Sequence, residues 1–173
     1  MEPGIDRRVF RDLSYGLYIV TARAGDRLNG QIVNTVVQVT SDPARVAVII
    51  NKKNFTHELI LKSGIFGISV LDDSVTLPFL GPFGFRSGRE IDKLSKVKYK
   101  EGVTGCPLIT EHALSVLEAK VIHQIDLGSH TIFVADIIRS EPLKEGNPLT
   151  YKFYQENLKG KSPSTAPTFN PGK

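Results

Sequence analysis

The chain has 173 residues, 40% of them hydrophobic and 23% charged, which suits one soluble globular domain with a sizeable core. One cysteine, Cys106, excludes an intramolecular disulfide and a cysteine-built metal cluster, and nothing around it suggests an activated thiolate. No run approaches the roughly 20 apolar residues of a membrane span, "MEPGIDRRVF" lacks the apolar segment of a secretory signal, and the net charge of +4 favours phosphate-bearing ligands or acidic partners.

These features predict a cytoplasmic protein. Its basic residues are scattered apart from Arg7-Arg8, Lys52-Lys53 and "DKLSKVKYK", the last reading as a solvated face.

In chain order, Asp6 can cap a short helix with Val9, Phe10 and Leu13 on one side and Gly16 at its end. "LYIVTARA" reads as a strand, and "AGDRLNG" supplies turn chemistry. "NGQIVNTVVQVTSDP", residues 29–43, reads as one long strand stopped at Asp42-Pro43. Its odd face, Gln31, Val33, Thr35, Val37 and Val39, is expected in the core. Its even face carries Asn34 and Gln38. That face either meets solvent or forms a wall for a flat ring rich in heteroatoms.

"RVAVIIN" is a further strand, and "NFTHELILKSG" a helix of about two turns, capped by Asn54 or Thr56 and followed by Gly64. Asn51, Lys52, Lys53, Asn54 and Thr56 therefore sit where a strand runs into a helix start. This is either an ordinary capped helix with solvated lysines or a phosphate site built on free N–H groups and the helix dipole. "IFGISVL" is another strand. Residues 72–99 are mixed, with a short helix near Val75 to Leu80 and then a Phe- and Gly-rich loop, "FLGPFGFRSGRE", holding Arg86 and Arg89. That loop either covers a ring system and reaches a phosphate or is a turn clamped by buried Phe. "ALSVLEAKVIHQIDL" and "HTIFVADIIRSEPL" are long strands flanking a hairpin at "GSH". The tail from Gly160 is rich in Pro, Ser and Thr and reads as extended or mobile.

Many strands, few short helices and hairpin links predict a mainly β fold, an antiparallel sheet closing into a β-barrel. No GxGxxG follows a strand, and the four histidines show no metal spacing. Of these, His57 belongs to the helix start, His112 and His123 read as incidental, and His130 occupies a hairpin corner where a functional side chain fits. Without a nucleophile triad or a carboxylate pair, the chain reads as one that borrows its chemistry from a cofactor.

Taken in order, "NGQIVNTVVQVTSDP", "INKKNFTHELI", "FGISVL", "FGFRSGREIDKL" and "GSHTIFVADI" resemble the flavin reductase family with an FMN-binding split β-barrel, over roughly Arg7 to Tyr154. The tail "PLTYKFYQENLKGKSPSTAPTF" is similar to the end of the flavin domain in rubredoxin-fused reductases. The resemblance implies a flavin domain over residues 1–158, a tail over 159–173, and a homodimer with FMN near the subunit interface. It implies that Asn34, Thr35, Val36, Val37 and Gln38 line the isoalloxazine, and that Asn51, Lys52, Lys53, Asn54 and Thr56 bind its phosphate. Phe85, Arg86 and Ser87 are implied beside the cofactor, and His130 on the nicotinamide side, although Ser129 stands where the family pattern has an acidic residue.

The implied activity passes hydride from NAD(P)H to FMN, and electrons on to free flavin or a separate rubredoxin-like acceptor, since no CxxC pair is present. A flavoprotein reduced by a protein donor is the nearest alternative. A ligand-free barrel and a basic barrel binding nucleic acid are more distant ones. Phe and Tyr fall in apolar or loop contexts, which argues against nucleic acid.

Overall fold

The computed structural model describes residues 4–168. A 3-10 turn over Arg7–Asp12 is followed by β1 (Tyr18–Ala24), β2 (Arg27–Val33), β3 (Val36–Thr40), β4 (Arg45–Asn51), α1 (Phe55–Ser63) and β5 (Ile65–Leu71). Then come α2 (Leu77–Phe85), β6 (Tyr99–Glu101), β7 (Pro107–Ile109), β8 (Ala113–Asp126), β9 (His130–Pro142) and α3 (Tyr151–Glu156). Seven strands form one antiparallel sheet in the order β2-β1-β5-β8-β9-β4-β3, and β6 pairs with β7 apart from it.

The two ends of this sheet, β2 and β3, are consecutive in the chain and joined only by Asn34 and Thr35. A link that short spans only a few ångströms, so the sheet must curl until its ends meet. The result is the expected barrel, split along the β2/β3 seam. Thr35 fixes the seam: its carbonyl accepts from Ile49 N at 3.2 Å and its hydroxyl donates to Ile49 O at 2.9 Å.

The single strand expected over residues 29–43 is therefore two strands with different partners, β1 on one side of the break and β4 on the other. The break also shifts the alternation. Val33 is buried and Val36 packs on the core, whereas Val37 and Val39, expected inside, are 56% and 48% exposed on the edge strand.

The barrel core gathers Val20, Val48, Ile50, Phe66, Ile68 and Phe133, and α1 adds Phe55, Leu59 and Ile60. A second core outside the sheet packs Ile19 and Leu71 against Leu80 and Phe83 of α2 and Tyr154 of α3. Because Ile19 and Val20 serve opposite cores, β1 is buried on both faces and reads as a continuous apolar run. Asn54 stands at the N-cap of α1, and Gly64 ends it at φ 68°, a left-handed position where its N–H returns to Ile60 O at 2.8 Å.

Other expectations move. The helix expected over 75–80 runs from Leu77 to Phe85 and takes in much of the Phe- and Gly-rich segment read as a loop. Burial of Leu80 and Phe83 outweighs the poor intrinsic propensity of its Gly and Pro residues. The N-terminal helix is a 3-10 turn ending at Asp12, with Val9, Phe10 and Leu13 exposed, and Gly16 instead bridges to Thr150. The short strands β6 and β7 and the helix α3 were not anticipated; α3 is capped by Thr150, whose hydroxyl accepts from Phe153 N at 3.1 Å. Among the described residues, no helix is long and apolar enough to cross a membrane.

Candidate functional site

A cavity of about 350 Å³ opens between the free edge of β2, the start of α1, the end of α2 with the turn after it, and the C-terminal tail. Each wall follows from the local chain. At the sheet edge, Gly30 turns its carbonyl away from β1 and accepts from Lys93 Nζ at 3.0 Å. By the alternation of a strand, Ile32 turns its N–H and carbonyl the same way, toward the cavity it lines.

On either side of Gly30, Asn29 and Gln31 are buried, and Asn29 Oδ1 and Gln31 Oε1 have no hydrogen-bond partner among the described residues. Asn29 Nδ2 donates to Thr56 Oγ1 at 2.8 Å and ties β2 to α1. Gly88 closes over this amide so tightly that a Cβ there would sit 2.0 Å from Asn29 Oδ1.

The α1 start forms the polar end. Asn51 Oδ1 accepts from Lys53 N at 2.9 Å, and Asn51 O accepts from Asn54 N at 3.0 Å, so the side chain of Lys53 is exposed at the cavity. Arg89 locks the neighbouring turn to α1: it donates to Lys53 O at 3.1 Å and to Glu58 Oε2 at 3.0 Å and lies over the Phe55 ring. Hydrogen bonds from Lys62 and Arg89 hold the Glu58 carboxyl below its ordinary pKa. Burial pushes the Lys93 ammonium down to about 8.

The tail forms the opposite wall. Residues 161–168 line the cavity, held by Tyr154 OH to Lys161 O at 2.8 Å, by Tyr151 OH to Ser162 Oγ, and by Thr168 Oγ1 to Tyr151 OH at 3.3 Å. Asn34 Nδ2 donates to Thr168 Oγ1 at 2.9 Å, and the His130 ring meets Thr165 O at 3.4 Å. Residues 169–173 of the expected tail lie outside the described residues.

Of the residues singled out from sequence, Asn34, Asn51, Lys53, Asn54, Phe85, Arg86 and Ser87 line this one cavity. The others stand elsewhere. Thr35 holds the seam, and Val36, Val37 and Gln38 belong to β3, where Gln38 Nε2 donates to Ser41 Oγ at 3.2 Å. Lys52 turns away to pair with Asp126 at 2.6 Å. Thr56 is fully buried beneath Asn29. His130 sits beside Asn51 in register and donates to or accepts from Ser129 Oγ at 2.8 Å.

His57 is buried inside the barrel against Phe133, with Nε2 2.8 Å from Thr131 Oγ1, and burial, then Lys52, lower its pKa. Cys106 is buried too, its thiol pushed up to about 11 by desolvation.

Asn29, Gln31, Gly88, Lys93, Tyr151 and the tail also line the cavity, and they are not among the cofactor contacts expected from the sequence. Asn29 and Gln31 had a signal, as amides within a strand. Lys93 had none. It lies in a stretch read as a solvated face, and it is 7% exposed.

Residues 10–158 match the family model described as the flavin reductase like domain. The chain is 46% identical over 169 residues to the high molecular weight rubredoxin of Moorella thermoacetica, covering 98% of this chain and 74% of that one. It is 47% identical over 165 residues to the ferric-chelate reductase (NAD(P)H) of Archaeoglobus fulgidus, covering 95% of this chain and 98% of that one.

Two solved structures are similar. The NADH:FAD oxidoreductase of Streptomyces globisporus C-1027 superposes at a TM-score of 0.71 with 27% identity, covering 79% of this chain and 80% of that one. The FMN-binding protein of Thermus thermophilus, solved with cyclohexenone, gives 0.71 and 26%, covering 83% and 76%. With the match spanning the barrel and the cavity walls up to α3, this chain belongs to the flavin reductase like domain family.

Proposed function

We propose that this chain is an oxidoreductase that binds FMN in the β2–α1 cavity, takes reducing equivalents from NAD(P)H and delivers them to free flavin or to a separate protein acceptor. Bound FMN would supply the hydride and electron chemistry, and the chain's own residues would bind and orient it.

The observation that carries this reading is the pairing of two unlike ends in one cavity. At one end, the α1 start with Lys53, Asn54, Arg86 and Ser87 offers charge, hydroxyl and N–H donors suited to a phosphate. At the other, the free β2 edge presents the backbone N–H and carbonyl of Ile32 beside the Asn34 amide, the mixed donors and acceptors that a heterocycle edge needs. Ile32, Leu80 and Phe83 supply the apolar surface against which a flat ring excludes water. Asn34 and Tyr151 hold the tail over the remaining side. The His130 ring meets the Thr165 carbonyl of the tail wall, and the reading brings the nicotinamide in from that side.

A homodimer belongs to the same reading. Val37 and Val39 expose an apolar edge on β3, and Ile5, Val9, Phe10 and Leu13 expose another apolar strip. Unpaired apolar edges of this kind are normally covered. A rubredoxin-like protein fits as acceptor: the relative named as a rubredoxin extends beyond the matched region, and the basic surface here suits an acidic electron carrier.

Titration of the flavin-free protein with FMN and with riboflavin, followed by fluorescence, tests the assignment of the cavity. Binding of FMN much tighter than riboflavin is expected; equal affinities, or no binding, would remove the phosphate end from the account.

A further inference from the structure

Three walls of the cavity belong to the folded body, and the fourth does not. The β2 edge, the α1 start and the α2 end are each anchored by buried apolar side chains, Val33, Phe55, Leu80 and Phe83 among them. None of residues 161–168 is buried, although all of them line the cavity. The segment lies on the protein rather than in it. Hydrogen bonds hold it there: Tyr154 to Lys161, Tyr151 to Ser162 and Thr168, Asn34 to Thr168, and His130 to Thr165. Such bonds contribute little each where water can replace them, so this wall opens at the least cost.

The chain before the segment is shaped to turn it back over the cavity. Lys159 takes φ 57°, a left-handed conformation uncommon for a residue with a side chain. Gly160 follows and donates to Tyr154 O at 2.9 Å, so close to the Tyr154 ring that a Cβ would sit 2.0 Å from it. Beyond that point Pro163 and Pro167 restrict the backbone, and Ala166 N closes a turn on Pro163 O at 2.9 Å. A stiff piece hung on a two-residue turn and fastened at its far end by Thr168 has the form of a strap with a hinge and a latch.

Its position decides what it would gate. A flat ring set against Ile32, Leu80 and Phe83 has one face on those side chains, and the segment covers the opposite side. Hydride transfer needs the two reacting rings in close, aligned contact. Resting on the flavin reading above, we propose that residues 161–168 are an autoinhibitory strap. Closed, it keeps the flavin in and the nicotinamide nucleotide out; it swings about Lys159–Gly160 to admit the nucleotide. The nucleotide then binds only the open fraction, and its apparent affinity is reduced by that fraction. Retention of flavin and access of nucleotide are thereby set against each other.

The test uses two full-length variants. Ser162→Ala combined with Thr168→Val undoes the latch without altering the three fixed walls, and Gly160→Ala puts a Cβ where the Tyr154 ring stands and misdirects the hinge. Thermal melts confirm folding, and the latch pair alone decides if Gly160→Ala does not fold. Each protein is loaded with FMN, its bound flavin is quantified, and it is mixed anaerobically with NADH or NADPH below saturation in a stopped-flow instrument. Flavin release on dilution is followed separately. Both variants should bleach about tenfold faster per bound flavin, and both should also lose FMN faster. A segment that merely braced the site would slow bleaching as it loosened the flavin. Bleaching slower than wild type, or within twofold of it, would overturn the strap and leave the flavin reading intact. A wild type that binds no FMN, or wild type and variants that all keep their colour with both nucleotides, would overturn the strap and the reading it rests on.

Discussion

Asn34 Nδ2 donates to Thr168 Oγ1 across 2.9 Å, joining the seam of the barrel to a residue 134 positions later in the chain. Thr168 in turn reaches Tyr151 OH, which also meets Ser162. The tail is thus fastened over the cavity by a short polar relay. Removing the shared hydroxyl with Tyr151→Phe takes away two hydrogen bonds worth about 1 kcal/mol each. Flavin release, followed by the return of its fluorescence on dilution, should become up to roughly thirtyfold faster, with a fall of a few degrees in the melting temperature.

Neighbouring lysines should behave differently. Lys53 is exposed at the cavity with no ion-pair partner among the described residues, whereas Lys52 is held by Asp126. Lys53→Ala should weaken FMN binding about tenfold or more, the scale of a hydrogen bond to a charged group, and leave riboflavin unaffected. Lys52→Ala breaks only an exposed ion pair and should cost less than about threefold. Fluorescence titration of both variants separates the two.

Gly88→Ala tests the close approach to Asn29. The added Cβ would meet Asn29 Oδ1 at 2.0 Å, so the turn or the amide must move, and the Asn29–Thr56 bond moves with it. A loss of about 1–3 kcal/mol in urea unfolding is expected, together with weaker flavin binding.

The β3 edge makes a separate prediction. Val37→Glu combined with Val39→Lys places charges on side chains that are already exposed, so the subunit itself should fold normally. Sedimentation velocity should find the wild type dimeric and the double variant monomeric.

The buried ammonium predicts a pH dependence in the flavin-free protein. In the unfolded chain Lys93 titrates near 10.5, in the folded one at about 8. Below 8 it is charged in both states and the fold bears the full cost of burying it. Between the two values the unfolded chain holds more of the proton, so stability rises with pH through that window. From pH 7 to 9.5, urea unfolding should show wild type gaining about 2 kcal/mol relative to Lys93→Gln.

The elements legible in the sequence were those with strong local patterns. β1, β4, β5, β8, β9 and α1 announce themselves by apolar runs, turn residues and caps. The break at Asn34–Thr35 was not legible, because Val33 through Val39 satisfies one strand as well as two; only the change of partner from β1 to β4 separates them. For the same reason Gln38 looked like a companion of Asn34 on one face, although it ends in solvent beside Ser41. Asn51, Lys53 and Asn54 could be grouped because they are contiguous and precede a helix. Lys93, Tyr151 and Thr168 reach the same cavity through tertiary packing alone, and no local pattern marks a lysine whose environment is made by a distant strand.

The flavin held in this cavity is to be reduced by a nicotinamide nucleotide. Anaerobic stopped-flow mixing of the FMN-loaded protein with NADH and with NADPH, followed at the visible flavin band, tests it most directly. Rapid bleaching is expected with at least one of the two, slowed in the Lys53→Ala variant in proportion to its lost flavin. A protein that holds FMN firmly and keeps its colour with both nucleotides would contradict it.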